Sequence, residues 1–213
     1  MNNDQITEHL AAKFDEWVES IPDLALRNLI IRDAYIAGGA IASLVNNEYA
    51  RDYDIFFRTL ETCARVTHYY ATNVLAKGTV SKHAITLPNQ VQLITHWWGG
   101  HDDILGQFDF EHTKAHWNAS DNKLYIPDET KLAIRDKTLR YTGRSRYPVR
   151  SLVRAVDFQQ RRWNLSYVTL LHIIADILKL KIESPAEFIK QLGGLYLDPQ
   201  EENELEDIIA TMF

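Results

Sequence analysis

"YIAGGAIASLVNNEYARDYDIFF", Tyr35 to Phe57, joins two short apolar runs through a pair of glycines and a helical-looking stretch. Ala34–Ala37 reads as a strand, Gly38-Gly39 as the turn that ends it, Ala40–Val45 as a helix starting directly after the glycines, and Asp52–Phe57 as a second strand. Alternate residues of a strand share a face, so Asp52 and Asp54 are expected on one side and Tyr53, Ile55 and Phe57 on the other. Two carboxylates so placed repel one another unless a cation lies between them. Mg2+ prefers carboxylate oxygen, keeps several waters and bridges to substrate phosphates, which makes D-x-D on a strand a seat for phosphoryl-transfer chemistry. A Gly-Gly step between strand and helix lets backbone N–H groups come close to an anion. Taken singly, the first motif is also a tight turn and the second a solvated strand start. Their order, with a helix between them, is what joins them into one site.

Working outward, Asp4–Ser20 and Pro22–Arg32 carry apolar residues at helical spacing on the N-terminal side. On the C-terminal side Leu60–Leu75 reads as a helix and Val80–Leu87 and Val91–His96 as strands separated by the turn "PNQ". Phe108–Trp117 and Lys123–Ile126 are expected as a strand pair around "NASDN". From Pro127 the pattern turns largely helical, most clearly at Pro148–Arg162, Ser166–Lys179, Pro185–Gln191 and Pro199–Met212. The fold expected is an α/β (α+β) sheet domain with N-terminal helices over residues 1–143, followed by a small helical part over 144–213.

The 213 residues are 46% hydrophobic and 24% charged, an ordinary globular balance, and the formal net charge of -6 argues against a surface coated for phosphate binding. The single cysteine, Cys63, excludes an internal disulfide and reads as a small core residue. No apolar run is long enough to span a bilayer, and the polar, acidic start "MNNDQITEHLAAKFDEW" is unlike a signal peptide, so a cytoplasmic protein is expected.

With these residues in place, "GGAIASLVNNEYARDYDIFF" resembles the glycine-loop and D-h-D-h signature of the nucleotidyltransferase (polymerase β-like) superfamily, and within it the poly(A) polymerase and CCA-adding enzyme type. "VQLITH", the stretch from Phe108 to Gly143 and the helix "VRSLVRAVDFQQRRW" resemble later motifs of that branch, so the likeness runs over roughly residues 34 to 165. Compact chains of this pattern resemble nucleotidyltransferase-like proteins of phages and mobile elements. The resemblance implies a mixed sheet flanked by helices and transfer of a nucleoside monophosphate from an NTP to an RNA or tRNA end, or to a protein or other hydroxyl acceptor. It also implies two Mg2+ ions held by Asp52 and Asp54, phosphate contacts at Gly38 and Gly39, and triphosphate contacts from Arg51, Arg150 and Arg154. Asp109 is implied as a further catalytic carboxylate, on substrate or on metal.

Several positions depart from the branch pattern. Ala42-Ser43 stand where the branch has Arg-Asp, Gln92 where many members carry a third acidic residue, Gly106-Gln107 where an arginine pair precedes the Asp109 motif, and "YPVRS" where the nucleobase reader falls. These losses raise a second reading, a non-catalytic module of the same fold that holds nucleotide, RNA or a protein. Neither a membrane contact nor DNA specificity is expected.

Other side chains have plainer readings. His112 and His116, four apart, suggest zinc only weakly, for no third ligand has the spacing. His101-Asp102-Asp103 reads as an acidic surface loop, and Trp97 and Trp98 as core or rim packing in preference to a base-stacking surface. A run of basic residues from Lys131 to Arg162 can clamp a triphosphate or track RNA, and its acidic counterpart from Asp198 to Asp207 can equally pair with it.

Overall fold

The computed structural model describes residues 1–73, 78–81, 84–193 and 199–213. They fall into two compact units, Met1–Asp136 and Lys137–Phe213. In the first unit, α1 (Asn3–Glu19) and α2 (Leu24–Asp33) precede β1 (Ala34–Ala37), α3 (Gly39–Val45), β2 (Tyr53–Phe57) and α4 (Leu60–Thr72). β3 (Thr79–Val80), β4 (Ala84–Thr86), β5 (Val91–Trp98), α5 (His101–Leu105), β6 (His116–Asn118), β7 (Lys123–Tyr125) and α6 (Asp128–Arg135) complete it.

The strands form one sheet in the order β3-β4-β5-β2-β1-β6-β7. β2 runs parallel to β5, while all other neighbours are antiparallel, so the sheet is mixed. Its two faces are filled unequally. Tyr53, Ile55 and Phe57 of β2 meet Ile6, Leu10, Phe14 and Trp17 of α1, Ile30 of α2, Ile41 of α3 and Val66 of α4 in the main core. The N-terminal helices are placed by their caps: Asn2 and Gln5 form a reciprocal capping box on α1, and the Asp23 carboxylate accepts from the Ala25 and Leu26 amides at the start of α2. Two polar groups buried in this core are paired. The Trp17 indole N–H donates to the Tyr70 hydroxyl at 2.9 Å, and the Cys63 thiol donates to the Thr95 carbonyl. The opposite face carries only a small apolar cluster of Tyr35, Ala37, Phe56, Ile104 and Leu105, with Ile94, Trp97 and Phe108 packed against it.

Several expectations need correction. Phe108–Trp117 is not one strand: Glu111–Thr113 makes a 3-10 turn, and pairing starts only at His116. The alternation there reflects burial of a compact turn, whose Phe110, His112 and Thr113 are all inward. Val80–Leu87 divides into β3 and β4, with 82–83 outside the described residues, and α4 ends at Thr72, short of the expected Leu75, which also lies outside them. His101-Asp102-Asp103 is not a loop but the first turn of α5.

In the second unit α7 (Pro148–Gln160) packs on both α8 (Tyr167–Leu178) and α9 (Pro185–Leu192), and α10 (Pro199–Met212) follows. The Thr169 hydroxyl ties α8 to the incoming chain by donating to the Leu139 carbonyl at 2.9 Å. Arg161 lies over the Phe158 ring at 4.3 Å, a cation–π contact that covers the end of α7.

Candidate active site

The registers across the sheet centre assemble the site. Ala37 of β1 is the partner of Asp54 on one side and of His116 on the other, and Asp54 in turn pairs with Gln92. His116, Ala37, Asp54 and Gln92 therefore form one row on one face, since directly paired residues point the same way. That is the sparsely covered face. Asp52 has the same parity as Asp54 and lies half-buried just before β2. Its segment is fastened by Gln90, whose carbonyl accepts from the Tyr53 amide at 2.7 Å and whose side chain donates to the Ala50 and Arg51 carbonyls at 3.1 and 3.3 Å. Arg51 itself is exposed.

The glycines meet the carboxylates here. Gly38 has φ +105, a backbone that side chains rarely adopt, and a Cβ on it would stand 3.3 Å from Asp54 Oδ2. Its amide donates to the Ala115 carbonyl at 3.4 Å, which fixes the turn to the chain entering β6. Around Gly39 nothing lies within 4 Å of where a Cβ would be. A side chain at Gly38 would thus crowd the Asp54 carboxylate, whereas the approach at Gly39 is open.

The remaining expected residues are distributed differently. Asp109 is 5% exposed, between α5 and the 3-10 turn. Among the described residues no three His, Cys, Asp or Glu side chains gather closely enough to hold a metal ion. A cation at Asp52 and Asp54 would thus complete its shell with water and phosphate oxygen, which suits Mg2+ and not zinc. His112 sits in the turn and His116 on β6, so their spacing of four makes no ligand pair with a third partner. Arg150 and Arg154 are on α7 of the second unit, where Arg154 lies 5.8 Å from the Phe158 ring centroid. Trp97 packs in the small cluster, and Trp98 is 45% exposed at the end of β5.

A second group on this face was not read from the sequence as a site. The His116 ring is stacked on Tyr125 at 5.0 Å and on His101 at 4.3 Å, while Tyr35 stands edge-on to both imidazoles. Burial, then His101, then Arg58 push the His116 imidazole down to about 4, so it is neutral at neutral pH. The Arg58 guanidinium donates to the Asp33 carbonyl at 2.9 Å and to Asn118 Oδ1 at 2.7 Å, and lies over Tyr35 at 5.1 Å. Burial likewise raises the Tyr35 phenol well above its ordinary value, although Arg58 opposes the shift. The only signal available in sequence was the polar run of His101, Asp102 and Asp103, which local reading assigns to a loop.

Among solved structures the fold is similar to a CCA-adding enzyme in complex with CTP, with a TM-score of 0.54 at 15% identity, over 85% of this chain and 44% of that one. It is similar too to the Thermotoga maritima CCA-adding enzyme complexed with tRNA, with a TM-score of 0.51 at 14% identity, over 90% of this chain and 58% of that one. Likeness at this identity shows a nucleotidyltransferase-like fold. In sequence, the chain is 24% identical over 168 residues to "Gabija anti-defense 2" of Bacillus phage SPbetaL7, and the match spans 77% of this chain but 42% of that relative. The family model of Gabija anti-defense 2 proteins matches residues 8–137, the stretch that holds the whole sheet, the glycine turn and both aspartates. This chain belongs to the Gabija anti-defense 2 family.

Proposed function

We propose that the protein counters a Gabija defence system by nucleotidyl transfer, moving a nucleoside monophosphate from an NTP onto a hydroxyl of an RNA end or of a defence component. The observation that carries this reading is the position of Asp54 beside the glycine turn: it pairs with Ala37, and a Cβ on Gly38 would stand 3.3 Å from its Oδ2, on the open face of the sheet. Mg2+, when bound, would neutralise the triphosphate and polarise the α-phosphoryl group. Asp52 and Asp54 supply the anionic oxygens for it, and the backbone around Gly39 leaves space for the phosphates. The acceptor oxygen forms a bond to the α-phosphorus as the bond to the bridging β-phosphate oxygen breaks, and pyrophosphate leaves.

A second reading has its own support. Gln92 stands in register beside Asp54 where a third carboxylate would complete a two-ion site, and an amide cannot supply that charge. On this reading the fold binds nucleotide or a Gabija component without chemistry.

The two readings separate on labelling. Incubation with α-labelled NTPs, Mg2+ and either total RNA or purified Gabija components is expected to leave label covalently on one of them, because the α-phosphate stays with the transferred nucleotide. Asp52→Asn with Asp54→Asn should abolish the label at an unchanged or slightly raised melting temperature, since the substitution relieves carboxylate repulsion in the metal-free protein. Absence of label from the unmodified protein in every acceptor, together with binding to Gabija components that survives the double substitution, would establish the second reading.

A further inference from the structure

A cavity of about 360 Å3 lies in the second unit, where the turn into α7, the connection from α8 to α9, and α9 itself meet. That volume falls within the range of small-ligand pockets. Local bonds set its walls. The Ser145 hydroxyl accepts from the Tyr147 amide at 3.1 Å and from the buried Ser151 hydroxyl at 2.8 Å, which fixes the corner at Arg146 and Tyr147. α9 is anchored at both ends. At its start the Ser184 hydroxyl accepts from the Glu187 amide, and Glu187 Oε2 accepts from the Glu183 amide at 2.8 Å. At its end Gly193 takes φ +56, and a Cβ there would lie 3.8 Å from Tyr147 Cδ2. Gln191 Nε2 donates to the Arg146 carbonyl at 3.4 Å, which joins α9 to the turn.

The lining combines charge with apolar surface. Arg146, Lys181 and Lys190 bring three cations on exposed residues, and the one carboxylate among them, Glu187, is engaged by the Glu183 amide. Tyr147, Leu180 and Ile182 supply an aromatic ring and two aliphatic walls, each half-buried. Gln191 also lines the cavity, and its Oε1 is buried with no hydrogen-bond partner among the described residues. An unmet acceptor in a cavity wall is costly, and an N–H of a bound molecule would relieve it. Guanidinium and ammonium groups in this number suit a phosphate that carries about two negative charges. An aromatic ring flanked by aliphatic side chains suits a planar base. The cations alone would accept any polyanion, so it is the ring, the walls and the unmet amide that narrow the ligand.

We propose that this cavity binds one nucleoside monophosphate unit, with its phosphomonoester among Arg146, Lys181 and Lys190, its base against Tyr147, Leu180 and Ile182, and a base N–H turned to Gln191. Such a unit comes as a free mononucleotide or as the 5′-phosphorylated end of a single strand, and both present the same phosphate and base. The site stands apart from the transfer reading above. All of its residues belong to the second unit, whereas Gly38, Gly39, Asp52 and Asp54 belong to the first.

Calorimetry on the full chain without divalent ions, with AMP, adenosine and inorganic phosphate as probes, tests the site. AMP should bind, while adenosine and phosphate should each bind about tenfold or more weakly, since a charge-assisted phosphate contact and a stacked base each carry that much. Lys181→Glu with Lys190→Glu should lower AMP affinity by about tenfold or more at an unchanged melting temperature, because both residues are exposed. Asp52→Asn with Asp54→Asn should leave AMP affinity as it is, which separates this cavity from the glycine turn. Trypsin cleavage after Arg146 and Lys181 should slow in AMP and not in adenosine. A 5′-phosphorylated oligoadenylate that binds more tightly than AMP, with its 5′-hydroxyl form inert, would identify strand ends as the source, and a strand no tighter than AMP would identify the free nucleotide. Full AMP affinity in the Lys181 and Lys190 variant, or no binding of either AMP or the phosphorylated strand at millimolar concentration, would overturn the site. Phosphate that binds as tightly as AMP would overturn the nucleotide assignment. Each of these outcomes leaves the transfer reading where the labelling experiment puts it.

Discussion

Gly38 and Gly39 are neighbours in sequence but differ in what a side chain would cost there. At Gly38 the positive φ strains any side chain, and a Cβ would also press on Asp54 Oδ2 at 3.3 Å, so Gly38→Ala should destabilise by about 1–3 kcal/mol, read as a lower urea midpoint. Gly39 opens α3 with free space around it, and a helical Gly→Ala change ordinarily stabilises by roughly 0.5–1 kcal/mol. Gly39→Ala should therefore fold at least as well as the unmodified chain while losing about tenfold or more in Mg-NTP affinity by calorimetry. Retention of full affinity would remove Gly39 from the phosphate site. The Gly-Gly pair was readable because turn chemistry is local. Which of the two lies beside the carboxylate was not readable, since that depends on the β1–β2 register.

At the scale of elements, the meeting of α5, β6 and β7 in one ring column has a consequence for stability. Burial holds the His116 imidazole down at about 4, against 6.5 in the ordinary case, so below the higher value the unfolded chain takes up a proton that the folded chain refuses. This contribution is full above about pH 6.5 and is lost as pH falls toward 4. At roughly 1.4 kcal/mol per unit it amounts to about 3 kcal/mol. Urea unfolding at pH 7 and pH 4.5 should show that loss, and His116→Phe, which keeps a ring in the stack, should show a smaller one. Equal pH dependence in the two proteins would mean that other groups govern acid stability. These three elements were only partly legible. The strand pair at Lys123 was expected, but the preceding strand was read as running from Phe108 because buried turn residues imitate strand alternation. His101 looked like a loop residue because nothing local signals its long-range partner.

At the scale of the whole molecule, no helix among the described residues is long and apolar enough to cross a membrane, and the chain spans less than half the length of its phage relative. The segment before α7 has no regular helix or strand, and Arg144 and Arg146 in it are exposed. Limited trypsin digestion should cut there early, as exposed irregular chain is the preferred site, and mass spectrometry of the fragments checks it. Protection of both arginines would show that the segment is covered in solution. The sequence by itself determined the helices α1 to α4, the strands β1 and β2, and the spacing of Gly38, Gly39, Asp52 and Asp54, all set by periodicity, caps and turns within a few residues. It also carried the likeness to nucleotidyltransferases, for the same reason. Only the tertiary structure decided that β1 runs between β2 and β6, so that His116 shares a row with Asp54, and that His101 stacks on His116. Strand order is settled by which apolar faces can be buried together across long loops, and that competition leaves no trace in any short stretch of chain.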